Sequence, residues 1–479
     1  MLHLRSLLRR HLGSVFGPCS ALLLAAPLAG CGEVASRGSE AADDAALPEL
    51  VFPDARAPSQ DSGRASSTER DASSANDANT TSADAMSPSL LPILGLTAIP
   101  LSVCVPSEYT AAVTIGGSQT FQMALDTGST TLGVASTMCP TCAVTPEYTP
   151  GAMATDEHQT GTSQYGTGSW SGEIYEDGVG LGSHAIAPVD FVAIDTQSQF
   201  FEPTMCDSAS GSMQGIIGFG PASSALPGTN AFFDQLISAR GVKNVFATEL
   251  CDTNGTLWLG GYDPAFTTAP PQYTPLATSF ISQYYYAVNL ASVTVAGVSV
   301  PVGTPEYPDS VVDTGTSIFI LPTAAFNAIT AAIGNTAAFQ SIFGTGTPAT
   351  DAGSVGDAGD AGDAGNASTA AGAAATAWFS SSENCSVLSG ETKAELDAKL
   401  PPLTLVFGSN PSISVQALAT ESYLMAYQNY WCPALYATDP GPDFPLASIM
   451  GSPVLRSNVV IFDRANQRVG FAPHTPCGE

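Results

Sequence analysis

Two short segments of the 479-residue chain place an aspartate at the end of an apolar run, followed by threonine, glycine and a hydroxyl residue. The first reads Met-Ala-Leu-Asp-Thr-Gly-Ser at residues 123–129, and the second reads Val-Val-Asp-Thr-Gly-Thr-Ser at residues 311–317. One Asp-Thr-Gly alone would be read as a turn at a strand end. Because the sequence occurs twice in matching contexts, we interpret Asp126 and Asp313 as a functional pair.

Two facing carboxyl groups can hydrolyse an amide without a metal or a covalent intermediate. An ionised carboxylate takes a proton from water, while a protonated carboxyl donates one to the substrate carbonyl oxygen. Two like charges a few ångströms apart do not both ionise easily, so one pKa rises and the pair shares a proton. The sequence therefore predicts acid–base hydrolysis by Asp126 and Asp313, with no cofactor and no metal.

Each motif is followed downstream by two apolar residues and a glycine, Ile-Ile-Gly at residues 216–218 and Ile-Met-Gly at residues 449–451. The interval is longer in the second half, which contains a low-complexity stretch at residues 344–376. Apart from this insertion the two halves have the same order of features. We therefore expect two copies of one half-domain.

The elements that position these motifs are predicted to be mainly strands. Short runs rich in Val, Thr, Ile and aromatic residues are separated by Gly, Pro, Asn or Ser, which is typical of β-structure. These runs cover residues 109–115, 121–125, 285–300, 403–407 and 459–462. Brief helical patterns occur at residues 231–240 and 324–333. The predicted fold class is all-β, with short helices.

The sequence resembles the pepsin-like aspartic proteases from about residue 103 to residue 473. Besides the two Asp-Thr-Gly motifs, Tyr-Gly-Thr-Gly-Ser at residues 165–169 resembles the flap hairpin of that family. Residues 255–264 resemble the strand and turn that close the first lobe, and residues 462–472 resemble the last hairpin. The resemblance implies a bilobal fold, two pseudo-symmetric β lobes with a cleft between them, and an aspartic endopeptidase that needs no cofactor.

The resemblance also implies roles for the residues that follow each aspartate. The threonines next in sequence are expected to hydrogen-bond across to the opposite loop, and the later hydroxyl residues to hold the outer carboxylate oxygens. The glycines let backbone N–H groups come close to the carboxylates. The expected support for the pair is Thr127, Gly128, Ser129, Thr314, Gly315 and Thr316.

The flap is expected to carry Tyr165, Gly166 and Thr167 over the substrate, where it would exclude water and orient the peptide. One position departs from the family pattern. Gly133 stands where the family usually has a tryptophan that hydrogen-bonds the flap tyrosine, which changes the expected flap geometry and pocket shape. Trp170, on the flap itself, is our hypothesis for a compensating residue.

The expected substrate is an extended polypeptide, held under the flap by strand-like hydrogen bonds and cleaved at acidic pH. Bulky apolar residues beside the cleaved bond are the preference that the resemblance implies. One alternative is a catalytically weak surface binding module on the same fold. A second is a surface protein that cuts only its own linker.

The composition excludes several other functions. With 14 Lys and Arg against 43 Asp and Glu, the net charge is −29, so the chain lacks the basic face that a nucleic-acid partner requires. The hydrophobic fraction of 44% excludes disorder of the whole chain. Histidines 158, 184 and 474 have no metal-ligand spacing. We expect a monomer whose acidic body suits acid, where protonation of carboxylates lowers self-repulsion.

The first 31 residues are predicted to be a lipoprotein-type signal peptide. Arg5, Arg9 and Arg10 precede an apolar stretch that is too short to span a bilayer. The stretch ends in Leu-Ala-Gly-Cys, which resembles a bacterial lipobox with Cys31 as the lipidated residue. The protein is then exported and held at the cell envelope by a lipid anchor, its only membrane attachment. An ordinary signal peptide and a secreted protein are the alternative.

We divide the remaining chain into four parts. Residues 32–95 form an acidic low-complexity tether, residues 96–276 the N-terminal lobe and residues 277–479 the C-terminal lobe. Residues 344–376, rich in Ala, Gly and Asp, are predicted to be a disordered insertion in the second lobe. Calcium binding by its repeated aspartates is the alternative, but their spacing lacks the known ligand order.

The chain has ten cysteines, of which Cys19 lies in the signal segment and Cys31 is the predicted lipid site. The remaining even number in an exported protein favours disulfides. By the resemblance, Cys139 pairs with Cys142 and Cys385 pairs with Cys432. A redox role for the Cys-x-x-Cys sequence is the rival, but it lacks βαβ surroundings. Two further pairs are assigned without a motif, as Cys206–Cys251 and Cys104–Cys477.

Overall fold

The computed structural model describes residues 95–105, 108–166, 168–201, 213–344, 364–381, 384–387, 391–408, 412–427, 430–442, 444–475 and 477. The predicted signal peptide, Cys31 and almost all of the predicted tether lie outside these ranges, as does Thr167 of the flap. Within the described ranges, no helix is both long enough and apolar enough to cross a bilayer.

The first half of the chain is built mainly of strands. They are β1 (Thr97–Val105), β2 (Glu108–Ile115), β3 (Gln119–Asp126), β4 (Leu132–Ala135), β5 (Thr155–Gln164), β6 (Ser169–Leu181), β7 (His184–Ser198), β8 (Gly215–Gly218), β9 (Phe246–Leu250), β10 (Asn254–Leu259) and β11 (Gln272–Pro275).

The second half has more and shorter strands. They are β12 (Ala287–Val288), β13 (Leu290–Val295), β14 (Val298–Pro301), β15 (Ser310–Val312), β16 (Phe319–Leu321), β17 (Ser386–Val387), β18 (Leu403–Phe407), β19 (Ile413–Ala417), β20 (Leu424–Tyr427), β21 (Tyr430–Pro433), β22 (Leu435–Ala437), β23 (Ser448–Met450), β24 (Asn458–Asp463) and β25 (Arg468–Pro473).

The helices are short. The α-helices are α1 (Phe232–Arg240), α2 (Thr323–Gly334), α3 (Ala337–Phe343), α4 (Ala364–Phe379), α5 (Lys393–Lys399) and α6 (Ser452–Leu455). Single 3₁₀ turns occur at Ala222–Ser224, Pro264–Phe266, Ile281–Gln283, Ala419–Glu421 and Arg464–Asn466. The predicted fold class, mostly β with short helices, is confirmed.

The largest sheet joins the two halves of the chain. Its strand order is β11-β25-β24-β9-β10-β1-β2-β3-β8-β4-β7-β6-β5, so the last two strands of the chain lie among strands of the first half. Three smaller sheets complete the second half, in the orders β12-β15-β23-β16-β22, β14-β13-β18-β19 and β17-β21-β20. The predicted lobes, residues 96–276 and 277–479, therefore share one sheet.

The repeat predicted from the sequence has a structural counterpart. In the first half, β3 runs parallel to β8, and β8 runs antiparallel to β4. In the second half, β15 runs parallel to β23, and β23 runs antiparallel to β16. The strand that carries each motif thus pairs with the strand that carries the downstream glycine. This pairing explains why each Asp-Thr-Gly is accompanied by a distant apolar-apolar-Gly sequence.

The apolar run at residues 285–300 forms β12, β13 and β14 instead of one strand. Val295 pairs with Val298 across a two-residue turn, in which Ala296 has φ 49° and Gly297 has φ 80°. Positive φ at both central residues gives the turn a twist that matches antiparallel strands. The Ala-Gly pair is therefore the turn of a hairpin that the sequence pattern had hidden in a continuous run.

The prediction of disorder for residues 344–376 is wrong for its last part, because α4 covers residues 364–379. Alanine-rich sequence favours a helix, and here small residues let α4 pack closely on α2. The Thr376 hydroxyl lies 2.9 Å from that of Thr330, and Ala375 and Phe379 are buried. Gly372 faces the side chain of Ala331. Residues 345–363 lie outside the described ranges.

Two of the expected disulfides are present, Cys139–Cys142 and Cys385–Cys432. The two pairs assigned without a motif are wrong, because Cys251 is bonded to Cys477. Cys251 directly follows β9, and β9 lies beside β24 in the shared sheet, so the end of the chain passes this point. Cys104 is also disulfide-bonded, and Cys206 lies outside the described residues.

A cluster of charged residues connects the two halves beside this disulfide. Asp252 of the first half accepts hydrogen bonds from Lys393 Nζ at 2.7 Å and from Arg456 Nη1 at 2.9 Å. The same Lys393 Nζ lies 2.7 Å from Glu421 Oε1, and Ser457 Oγ donates to Glu421 Oε2 at 2.8 Å. Glu421 and Arg456 are buried, which makes this network costly to break.

We predict that Glu421→Gln lowers the free energy of unfolding by about 2 kcal/mol, because the partly exposed ammonium of Lys393 loses the buried one of its two anionic partners. Urea unfolding near neutral pH, with Glu306→Gln at an exposed position as the control, measures the difference. Equal unfolding midpoints for Glu421→Gln and the control would show that the network contributes nothing to stability.

Candidate active site

The two motif aspartates occupy equivalent places in the two halves. Asp126 is the last residue of β3, and Asp313 directly follows β15. Backbone hydrogen bonds fix both against the partner strand, from Phe219 N to Asp126 O at 2.7 Å and from Asp313 N to Met450 O at 3.1 Å. Their exposed fractions are 5% and 9%. The fold thus brings two carboxyl groups that are distant in sequence to one buried place.

The threonines after the aspartates link the two loops reciprocally. Thr127 N donates to Thr314 Oγ1 at 3.1 Å, and Thr314 N donates to Thr127 Oγ1 at 3.0 Å. Each hydroxyl then donates to a carbonyl of the other half, Thr127 to Val312 O at 3.2 Å and Thr314 to Leu125 O at 2.7 Å. These four buried hydrogen bonds hold the two halves in register at the aspartates.

Each carboxylate is held by hydroxyl and backbone donors from its own loop. The outer oxygen of Asp126 accepts a hydrogen bond from Ser129 Oγ, and that of Asp313 accepts one from Thr316 Oγ1 at 2.6 Å. These are the contacts that the sequence resemblance implied. They leave both carboxyl groups with a fixed orientation.

Besides the backbone contacts that the sequence led us to expect, the two motif glycines have a role that sequence reasoning missed. Gly128 N donates to Asp126 Oδ1 at 2.8 Å, and Gly315 N donates to Asp313 Oδ1 at 2.9 Å. A Cβ atom on Gly128 would lie only 2.7 Å from Oδ1 of Asp313, the aspartate of the opposite half, and a Cβ on Gly315 would collide with the carboxylate of Asp126. Glycine is therefore required because each loop lies against the opposite carboxyl group, and not by a positive φ.

The electrostatics of the pair favour a retained proton. Burial raises the pKa of Asp126 above the usual range of an aspartate, and the negative charge of Asp313 raises it further. The hydrogen bonds from Ser129 and Gly128 oppose this rise without cancelling it. One proton shared by two carboxyl groups gives the site an acid and a base at the same pH.

The predicted flap is the hairpin of β5 and β6, with Tyr165 at its tip. Tyr165 N donates to Gly168 O at 2.7 Å, which closes the turn. Gly166 is exposed, and Thr167 is outside the described residues. Burial, followed by the negative charge of Asp126, raises the pKa of Tyr165, and Ser129 is one of its polar neighbours. The phenol therefore faces the first motif.

Tyr285 is a second aromatic residue at the pair, and sequence reasoning missed it. It is half-buried, and after burial the charges of Asp313 and Asp126 are what raise its pKa. It belongs to a run of three tyrosines at residues 284–286, just before β12. That run was the available signal, but nothing in it distinguishes a residue beside the aspartates from one in the core.

A single cluster of possible metal donors occurs within the described ranges, and it does not include Asp126 or Asp313. Among the described residues, Glu249, Cys251 and Cys477 place three possible donor atoms within 4.8 Å of one another. The two sulfurs are bonded to each other, so neither is a thiolate that could bind a metal ion. His184 Nε2 lies 2.9 Å from the hydroxyl of Thr97, in the packing between β1 and β7.

We predict that Asp126→Asn makes the stability of the protein less dependent on pH. The unfolded chain ionises this carboxyl near pH 3.9, whereas the folded protein retains its proton to higher pH, so the free energy of unfolding falls as pH rises above about 4. Above about pH 4, the free energy of unfolding of the wild type should fall by up to about 1.4 kcal/mol per pH unit through this carboxyl group. The variant should not show this fall.

Urea unfolding at pH 4.5, 5.5 and 6.5 measures these slopes, again with Glu306→Gln as the surface control. Identical slopes for the wild type and Asp126→Asn would mean that the pair binds no extra proton in the folded state.

Comparison with known proteins gives the site its context. Residues 108–474 match the family model described as eukaryotic aspartyl protease. An aspartic protease of Phaffia rhodozyma is 33% identical over 244 residues, which are 50% of this chain and 56% of that protein. Pepsin A of Gallus gallus is 25% identical over 391 residues, 78% of this chain and 86% of the relative.

A beta-secretase of Strongylocentrotus purpuratus is 30% identical over 244 residues, 45% of this chain and 43% of that protein. The alignments thus span about half the length of the Phaffia and Strongylocentrotus relatives and most of the length of the Gallus one. The family match itself includes both aspartate motifs, the flap and the last hairpin. On that match, the chain belongs to the eukaryotic aspartyl protease family.

Proposed function

We propose that the protein is an aspartic endopeptidase that hydrolyses peptide bonds of extended polypeptides with Asp126 and Asp313. The observation that carries this proposal is the reciprocal pair of hydrogen bonds between Thr127 and Thr314, which fixes two buried carboxyl groups from separate halves against each other. Two strand-end turn residues with no joint role would not need this cross-connection.

The reaction follows from one shared proton. The ionised carboxylate takes a proton from a water molecule, whose oxygen attacks the carbonyl carbon, while the protonated carboxyl donates its proton to the carbonyl oxygen. In the resulting diol intermediate, a carboxyl proton passes to the amide nitrogen, the C–N bond breaks and a hydroxyl proton returns to the pair. The products are a carboxylic acid and an amine, and the pair again holds one proton.

The substrate enters as an extended chain beneath the flap, where strand-like hydrogen bonds hold it and Tyr165 covers the reacting bond. Acidic pH supports the reaction in two ways. It keeps the shared proton on the pair, and it protonates surface carboxylates of a chain whose net charge is −29 at pH 7. Bulky apolar residues beside the cleaved bond remain the expected preference.

We further propose that the protein is exported and attached to the cell envelope by lipid at Cys31, and that it acts as a monomer. The Leu-Ala-Gly-Cys sequence at residues 28–31 supports the anchor. The disulfides Cys139–Cys142, Cys251–Cys477 and Cys385–Cys432 support an oxidising compartment.

A binding module on the same fold is the second candidate. The presence of Gly133 at β4 favours it, because that position departs from the family pattern. Both aspartates, with their hydroxyl donors and facing glycines, favour catalysis instead.

We predict that Asp126→Asn and Asp313→Asn each reduce peptidase activity by at least about 10⁴-fold, since neither half of the pair can act alone. The assay incubates the purified protein with a denatured polypeptide from pH 3 to pH 7, with and without pepstatin, and Glu306→Gln is the matched surface control.

Three results separate the candidates. Pepstatin-sensitive cleavage that is lost in both variants supports the endopeptidase. Pepstatin binding without cleavage supports the binding module, and cleavage of only the protein's own tether supports self-processing. Full activity in either asparagine variant would refute the mechanism.

A further inference from the structure

Trp170 occupies a slot that exists because residue 133 is a glycine. The indole is only 1% exposed, although Trp170 is just the second residue of β6 after the flap tip. A Cβ on Gly133 would lie 3.2 Å from Cζ2 and 3.5 Å from Cη2 of Trp170, and 3.3 Å from Cδ1 of Ile194. The six-membered ring of the indole therefore lies directly on the backbone of β4.

Packing, and not backbone conformation, explains this glycine. Gly133 lacks the positive φ that would demand glycine, and both of its neighbours in β4 are buried. A side chain here would press on the indole or on Ile194, because contacts of this length are tighter than ordinary van der Waals distance. Gly133 and Trp170 are thus complementary in size.

Two buried polar atoms lie beside each other above this slot. Nε1 of Trp170 and Oη of Tyr165 are both buried, and within the described part of the chain neither has a hydrogen-bond partner of ordinary geometry. The two ring centroids are 6.2 Å apart, and Phe200 packs against the phenol at 5.1 Å. An indole N–H is a donor that usually finds an acceptor when buried, and a phenol oxygen can accept.

Tyr165 and Trp170 lie on the same hairpin, but Tyr165 lies at the site and Trp170 packs into the sheet. Tyr165 is at the tip, while Trp170 pairs with Ser163 of β5 and Gln197 of β7, so both are on the same flap. The slot that receives the indole is formed by β4 and β7, which belong to the body of the large sheet. Only four residues separate Tyr165 and Trp170 in the sequence, so the seat of the indole in the sheet constrains the position of the phenol.

We propose that Trp170, seated on Gly133, is a positioning residue that holds Tyr165 over Asp126 and Ser129, with the indole N–H donating to the Tyr165 hydroxyl when a substrate closes the flap. This role rests on the proposed peptidase function. Trp170 acts only through Tyr165, so its effect on the reaction should disappear when the tyrosine hydroxyl is absent.

The test is a double-mutant cycle of Trp170→Phe and Tyr165→Phe in the full protein, with kcat and KM measured on a peptide substrate. Trp170→Phe is expected to lower kcat/KM about tenfold in the wild type and to have no further effect in Tyr165→Phe. Trp258→Phe, which alters another buried tryptophan far from the flap, is the control. Losses that multiply in the double variant would overturn the proposal.

A second pair of variants tests the slot. Gly133→Ala should lower kcat/KM in the same direction as Trp170→Phe, because the added methyl displaces the indole. The matched control is Gly151→Ala, where a Cβ would meet nothing within 4 Å and φ is not positive. Equal kcat/KM for Gly133→Ala and the control would also count against the proposal.

Urea unfolding of the same four proteins of the cycle keeps the inference testable if the wild type cleaves nothing. Absence of cleavage by the wild type would refute the proposed function but would not by itself refute the inference about Trp170. The packing between the Trp170 and Tyr165 rings, which the proposal requires before a substrate arrives, would then be measured in the unfolding free energy, where non-additive losses support the contact and additive losses refute it.

Discussion

The structure depends on holding two carboxyl groups, which share one proton, side by side and away from water. Burial and the negative charge of Asp313 both raise the pKa of Asp126, so the two side chains need compensating contacts to stay in place. Those contacts are short-range and directional, from hydroxyl and backbone donors to the carboxylates and from each threonine loop to the other. A site built in this way tolerates little displacement of one half relative to the other.

The links between the halves meet that requirement. The large sheet places β24 between β25 and β9, the Cys251–Cys477 bond ties the end of β9 to the end of the chain, and Asp252 joins Lys393 and Arg456 of the second half. On another face, Arg464 donates to both carboxylate oxygens of Asp234 at 2.8 Å. Relative motion of the halves is thus resisted at several places remote from the aspartates.

The sequence predicted the features that lie in short repeated motifs. It missed the features that depend on contacts between residues distant in sequence. The duplicated motif predicted Asp126 and Asp313 as a pair, and the family resemblance predicted their hydroxyl partners, because each is local to a short pattern. The contact of each glycine with the opposite carboxylate could not be read, since it exists only once the halves meet. The same holds for Cys251–Cys477, which follows strand order, and for α4, whose helix is stabilised by packing on α2.

The position of β24 and β25 also constrains how the chain can be made. Strand β9 lies between β10 and β24, so the sheet of the first half lacks a central neighbour until the final strands have been synthesised. Pairings so distant in sequence form late and slowly. Between the synthesis of β9 and that of β24, a growing chain would therefore expose an unpaired sheet edge. The large sheet is therefore completed only after β24 and β25 have been synthesised, long after β9, the strand with which β24 pairs.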